Sequence, residues 1–161
     1  MAALAHSLAG GGGRLMRPAA LHLTLAFIGS VAPTELAELE RIASGIRVPA
    51  FDLNLDRLGF WPQRGILWAG CSTRPPPLSA LSERLAVALR DAGFAIDPRA
   101  GAAQVAHVTL ARRVRCASLP RLETPIRWRV DEFALVESHL HASATSYKTL
   151  ASFPLDEAAA D

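Results

Sequence analysis

Leu21-His22-Leu23-Thr24-Leu25-Ala26 returns far down the chain as Ala106-His107-Val108-Thr109-Leu110-Ala111. Both copies keep His, Thr, Leu and Ala at the same offsets, and an internal repeat of this kind marks two related structural units. Each copy alternates apolar and polar residues with a period of two, the pattern of a half-buried strand. Residues two apart on a strand share a face, so each His stands beside its Thr while Leu and Val turn to the core. Packing explains the repeated Leu residues, but it gives no reason for a repeated His.

Working outward, the first copy reads as a strand from Leu21 to Gly29. Pro33 then starts a helix with Leu36, Leu39, Ile42, Ala43 and Ile46 at helical spacing, opened by Thr34 and closed near Gly45. Phe51, Leu53 and Leu55 alternate again and point to a hairpin with Ile66-Leu67-Trp68-Ala69 across an aromatic loop containing Arg64. After the triple proline Pro75 to Pro77, a helix over Leu78 to Ala92 carries Leu78, Leu81, Leu85, Ala88 and Leu89 on one face and stops at Gly93. A Pro98 to Gly101 loop leads into the second copy, a strand from Val105 to Val114. Strands near Ile126 to Val136 and Tyr147 to Pro154 follow, and the tail from Asp156 reads as frayed. This order predicts an α+β fold with two similar halves.

A chain of 161 residues fits one domain with a real hydrophobic core, needing neither disulfide nor metal to hold it. Half the residues are apolar and no apolar run reaches the roughly 18 residues of a membrane span, so the chain reads as soluble. Met1 to Gly13 has no basic residue ahead of its apolar part, which argues against a secretory signal. Cys71 and Cys116 are far apart and form no Cys-x-x-Cys spacing, the usage of buried or idle thiols in a reducing cytoplasm. Net charge is only +2. Yet Arg112, Arg113, Arg115, Arg121, Arg127 and Arg129 gather with only Glu123 between them, a patch that favours a phosphate-bearing partner.

Two His-x-Thr strands facing each other suit in-line displacement at phosphorus. One neutral imidazole takes a proton from the attacking oxygen, and an imidazolium opposite protonates the leaving oxygen. The hydroxyls hold the non-bridging oxygens. An ordinary imidazole pKa of about 6.5 lets both forms exist near neutral pH. Such chemistry needs no cofactor, metal or covalent intermediate.

The segments Leu21-His22-Leu23-Thr24-Leu25-Ala26-Phe27-Ile28-Gly29, Ile66-Leu67-Trp68-Ala69-Gly70 and His107-Val108-Thr109-Leu110-Ala111-Arg112, with Val136-Glu137-Ser138-His139-Leu140 and Tyr147, carry a resemblance over about Arg14 to Leu155. The chain resembles the two-histidine phosphoesterase superfamily, and within it the bacterial and archaeal RNA 2′,3′-cyclic phosphodiesterases, also called 2′-5′ RNA ligases. The resemblance implies a bilobal, pseudo-symmetric α+β fold, with two antiparallel sheets forming a central cleft and helices outside. It implies hydrolysis of RNA 2′,3′-cyclic phosphate ends to 2′-phosphates, with a reversible 2′-5′ ligation activity. His22 and His107 would then be the acid and base, and Thr24 and Thr109 phosphate ligands. Arg112, three residues past the second Thr, would add charge compensation, although strict alternation puts Arg113 on the His107 face unless the strand twists or bulges. The family's first strand has no evident counterpart ahead of the first motif. The expected partners are RNA ends such as tRNA fragments or small nucleotides, met by a cytoplasmic monomer.

Phe60 and Trp61 are candidates for stacking on terminal bases, worth roughly 1–3 kcal/mol per base, or for packing within their own hairpin. His139 and His141 have a metal-like spacing without a third ligand nearby, and His6 reads as exposed and idle. Two other functions fit the same residues: a phosphodiesterase acting on another cyclic or 2′-5′ nucleotide ester, and a catalytically silent module that only holds RNA ends. Intact His and Thr pairs argue against the second, because Arg and Lys suffice for holding.

Overall fold

The computed structural model describes residues 13–101, 104–115, 119, 121–140 and 145–157. Within them the elements run β1 (Arg14–Leu15), β2 (Phe51–Leu55), β3 (Arg57–Trp61), β4 (Ile66–Gly70), β5 (His107–Arg112), β6 (Ile126–Val130), β7 (Glu132–Leu140) and β8 (Thr145–Pro154), with helices α1 (Leu36–Ser44) and α2 (Pro76–Asp91). The result is mixed α+β with antiparallel pairing. Among the described residues the strands pair as β1-β5-β4-β3, β2-β6 and β7-β8, and an isolated parallel bridge joins Pro49 to Asp156.

The chain divides into two compact units. The first takes the described residues of Met1–Thr24, Leu53–Arg74 and Val105–Trp128. Its four-stranded sheet has one apolar face, on which Leu67, Ala69, Val108 and Ala111 are at most 1% exposed. Burying a Leu or Val side chain of this kind stabilises the fold by about 1.5–3 kcal/mol. The second unit takes Leu25–Asp52, Pro75–Gln104 and the described residues of Arg129–Asp161. In it Leu39 and Ile42 of α1 pack on Leu89 of α2, with Ala26, Ile28 and Phe94 against them.

Several local expectations change. The segment from Leu21 to Gly29 is not a regular strand: only Leu23 pairs, in an isolated bridge to Val108. After Thr24 the chain leaves that sheet so that Ala26 and Ile28 can cover α1 in the second unit. The hairpin is β3 with β4, not Phe51–Leu55 with β4, and β2 pairs instead with β6. Phe60 and Trp61 therefore lie within a strand, and the turn is the 3-10 segment Pro62–Arg64 closed by Gly65 at φ 58°. Thr34 does not open the first helix. Pro33–Glu35 forms a 3-10 turn, and the Glu35 carboxylate accepts the Ala32 N–H at 2.6 Å. Helix α2 begins two residues early because proline tolerates the first helical positions, and it ends before Gly93 at φ 84°.

Strand β5 stops at Arg112 because Arg113 turns left-handed at φ 57°. The single strand expected over Ile126 to Val136 is broken at Asp131 into β6 and β7. The tail does not fray at Asp156, whose N–H donates to Val48 O at 3.0 Å and whose carbonyl accepts the Ala50 N–H at 2.8 Å. No helix among the described residues is long and apolar enough to cross a membrane. The expectation of an absent first strand falls on residues ahead of Gly13, outside the described ones, as do His6, Cys116 and His141.

Candidate active site

On β5 the residues alternate as their chemistry demands. Val108 and Leu110 are each 1% exposed, whereas His107 and Thr109 are half-buried on the opposite face. Leu23 meets Val108 in antiparallel register. One residue to either side, that register sets His22 across from Thr109 and Thr24 across from His107. Side chains directly opposite have Cβ atoms about 4.5–5.5 Å apart. Two imidazoles and two hydroxyls thus form a quartet on one face, all within the first unit.

The two imidazoles are held alike. His22 Nδ1 lies 2.8 Å from the carbonyl oxygen of Ala20, and His107 Nδ1 lies 2.8 Å from that of Val105. A carbonyl oxygen only accepts, so each Nδ1 carries a hydrogen and donates it. The nitrogen that changes protonation is then Nε2 in both rings. The 3-10 turn Pro18–Ala20, closed by the Leu21 N–H on Pro18 O at 3.1 Å, fixes the Ala20 carbonyl beside His22. Burial lowers the pKa of His107 below the ordinary imidazole value. The Val105 carbonyl opposes this, while the charges of His22 and Arg112 reinforce it. The neutral form of His107 is thereby favoured.

Aromatic rings wall the same face. Trp68 pairs with Thr109 and Gly70 with His107 across the β4-β5 ladder, and Gly59 pairs with Trp68 across β3-β4. The Trp68 indole lies over both glycines: a Cβ on Gly59 would meet its ring at 2.0 Å, and one on Gly70 at 2.8 Å. Trp61 packs on Trp68 with centroids 5.3 Å apart, and meets His107 edge-on at 4.6 Å and 78°. The Arg57 guanidinium sits 5.3 Å over the Trp68 ring, a cation–π contact.

Arg112 owes its direction to a bulge. Trp68 pairs with Thr109, but the adjacent Leu67 pairs with Ala111, which leaves Leu110 as an extra residue on β5. Alternation is shifted by one beyond that point. Ala111 turns to the core and Arg112 joins the face of His107, close enough for its charge to act on that ring. Arg113, where strict alternation would look for the cation, is instead the left-handed residue that ends the strand. Val114 N–H then donates to Gly65 O at 3.0 Å.

The structure therefore gathers His22, Thr24, His107, Thr109, Arg112 and Trp61. It does not gather Phe60, which pairs with the buried Leu67 and so lies on the opposite face from Trp61. His139 is exposed and its Nε2 lies 3.2 Å from the Glu137 carboxylate. Among the described residues no three His, Cys, Asp or Glu side chains cluster to hold a metal. The six clustered arginines are all exposed, and Arg129 reaches Asp52 at 3.5 Å. Sequence reading missed Trp68, Arg57 and the two glycines. A glycine inside a strand marks close approach of another group, and Gly59 and Gly70 were that signal.

Comparison with known proteins points one way. A family model described as LigT like Phosphoesterase matches residues 1–68. The RNA 2′,3′-cyclic phosphodiesterase of Escherichia coli (strain K12) is 32% identical over 139 residues, which is 85% of this chain and 77% of the relative. Among solved structures, a crystal structure of a phosphoesterase superposes with a TM-score of 0.85 at 28% identity, over 98% of this chain and 94% of that one. The crystal structure of E. coli LigT complexed with 3′-AMP gives a TM-score of 0.74 at 30% identity, over 90% of this chain and 81% of that one.

Proposed function

The chain belongs to the LigT-like phosphoesterase family, and from that footing we propose that it hydrolyses RNA 2′,3′-cyclic phosphate ends to 2′-phosphates. The observation that carries the proposal is the quartet of His22, Thr24, His107 and Thr109 aligned by the Leu23 to Val108 bridge, with both Nδ1 atoms engaged by backbone carbonyls. Its likeness to a cyclic phosphodiesterase of E. coli, and to a LigT structure holding 3′-AMP, supports a nucleotide substrate.

In this reading the cyclic phosphate sits among the four side chains, with the Thr24 and Thr109 hydroxyls donating to its non-bridging oxygens and Arg112 offsetting their charge. Neutral His107 takes a proton from water through Nε2 as the water oxygen bonds to phosphorus. The bond from phosphorus to O3′ breaks, and protonated His22 gives its Nε2 proton to O3′. The product is a 2′-phosphate beside a 3′-hydroxyl. A 5′-hydroxyl in place of water, deprotonated by the same base, would yield a 2′-5′ linkage with the same bond broken.

Incubation of the purified protein with a short RNA ending in a 2′,3′-cyclic phosphate, in excess EDTA and across pH, tests the proposal. The expected product is the 2′-phosphate, with a bell-shaped rate profile. No turnover at any pH, a 3′-phosphate product, or dependence on added metal would overturn it.

A further inference from the structure

Among the described residues, the strands of the β1-β5-β4-β3 sheet hold three residues charged at neutral pH, Arg14, Arg57 and Arg112, and no carboxylate. Register puts all three on the face of His107. Arg57 pairs with Gly70, which pairs with His107. Arg112 is turned there by the bulge at Leu110, and Arg14 pairs directly with Arg112. Arg57 is stacked over the Trp68 ring. Arg14 and Arg112, both exposed, stand side by side on the same face toward the opposite edge of the sheet.

Strand β4 occupies one edge of β5, so β1 and Leu23 both lie along the other. Arg14 is therefore on the His22 side of the quartet, several residues along β5 from Thr109. At about 3.3 Å per residue and about 4.8 Å between strands, it stands beyond the group that turns back to the reacting phosphate. A Cβ on Gly13 would come within 2.7 Å of Val114 Cγ2, so glycine lets β1 run close beside the end of β5 without displacing that side chain. A guanidinium is a planar fork of donors matched to the paired oxygens of a phosphodiester.

We propose that Arg14, standing beyond Arg112, forms a second phosphate site that binds the phosphodiester one nucleotide upstream of the reacting end. The inference rests on the hydrolytic reading and narrows its substrate class: the enzyme selects RNA ends over 2′,3′-cyclic mononucleotides, which have no upstream phosphate.

Two measurements separate this site from the activity itself. First, kcat/KM is compared between a 2′,3′-cyclic mononucleotide and a short RNA with the same end. Arg14→Met keeps the aliphatic stem and removes the charge, and the ratio of RNA to mononucleotide kcat/KM should fall about tenfold, chiefly through KM; Arg14→Lys should recover part of it. Second, equilibrium binding of a short RNA is followed against salt. The slope of log affinity on log salt should become shallower by about 0.7 in Arg14→Met, the contribution of one single-strand phosphate contact. An unchanged ratio or an unchanged salt slope would overturn the second site. Absence of hydrolysis by the unmodified protein, with the salt slope still altered by Arg14→Met, would sink the hydrolytic reading and leave the phosphate site standing.

Discussion

The Trp61 indole meets the His107 imidazole edge-on, ring centroids 4.6 Å apart and planes at 78°. That contact excludes water from one side of the ring, and burial is the largest cause of the lowered His107 pKa. To act as base His107 must be neutral, so activity is lost as pH falls through its pKa. The acid limb of kcat/KM should lie below the ordinary imidazole value of about 6.5. Trp61→Leu readmits water, raises that pKa and moves the acid limb to higher pH. Superimposable limbs in the two proteins, or an unmoved His107 titration by NMR, would refute the role given to the indole.

Separate replacement of His22 and His107 by Ala should each lower turnover by about 10²–10⁴-fold, the usual share of a general acid or base. Circular dichroism should stay native, because both rings are only half-buried. Turnover near the unmodified rate in either variant would end the two-imidazole mechanism.

The hydroxyls of Thr24 and Thr109 are assigned to phosphate oxygens. Thr109→Val keeps the shape and removes the donor, and a hydrogen bond to a charged group is worth about 1.5–3 kcal/mol. A loss of roughly 10- to 150-fold in kcat/KM is expected. If Thr109→Val matches the unmodified enzyme, the hydroxyl does not touch the phosphate.

Arg112 and Arg113 are adjacent but should behave oppositely. Arg112→Ala removes the charge from the His107 face and should lower kcat/KM. Arg113 is left-handed at φ 57°, a conformation costing an L-residue about 1–2 kcal/mol and glycine little. Arg113→Gly should hold or raise the denaturation midpoint while activity persists. Activity lost in Arg113→Gly and kept in Arg112→Ala would reverse the assignment.

Gly59 has the Trp68 ring where a Cβ would go, at 2.0 Å. Gly59→Ala must push that ring out of its seat, and overpacking of this kind costs about 1–3 kcal/mol. Thermal unfolding should move down by several degrees, at about 2–4 °C per kcal/mol. A melting temperature equal to that of the unmodified protein would mean the ring can yield freely.

The repeated His-x-Thr pairs, the helix Pro76–Asp91 and the alternation on β5 were legible in the sequence, because each depends on residues within a few positions of one another. The family resemblance followed from the same local motifs. What remained hidden was pairing. Phe51-Asp52-Leu53 and Arg57-Leu58-Gly59 are equally plausible partners for β4, and only the tertiary structure gives that place to Arg57–Trp61. Likewise, nothing within Leu21 to Gly29 says that it will make one bridge and then leave for another unit. A one-residue change of register turns every side chain to the other face. The extra Leu110 on β5 does this, bringing Arg112 to the quartet and sending Ala111 to the core. Composition and period therefore determine which residues have the chemistry. Contacts between distant segments, decided by how the whole chain packs, determine which of them meet.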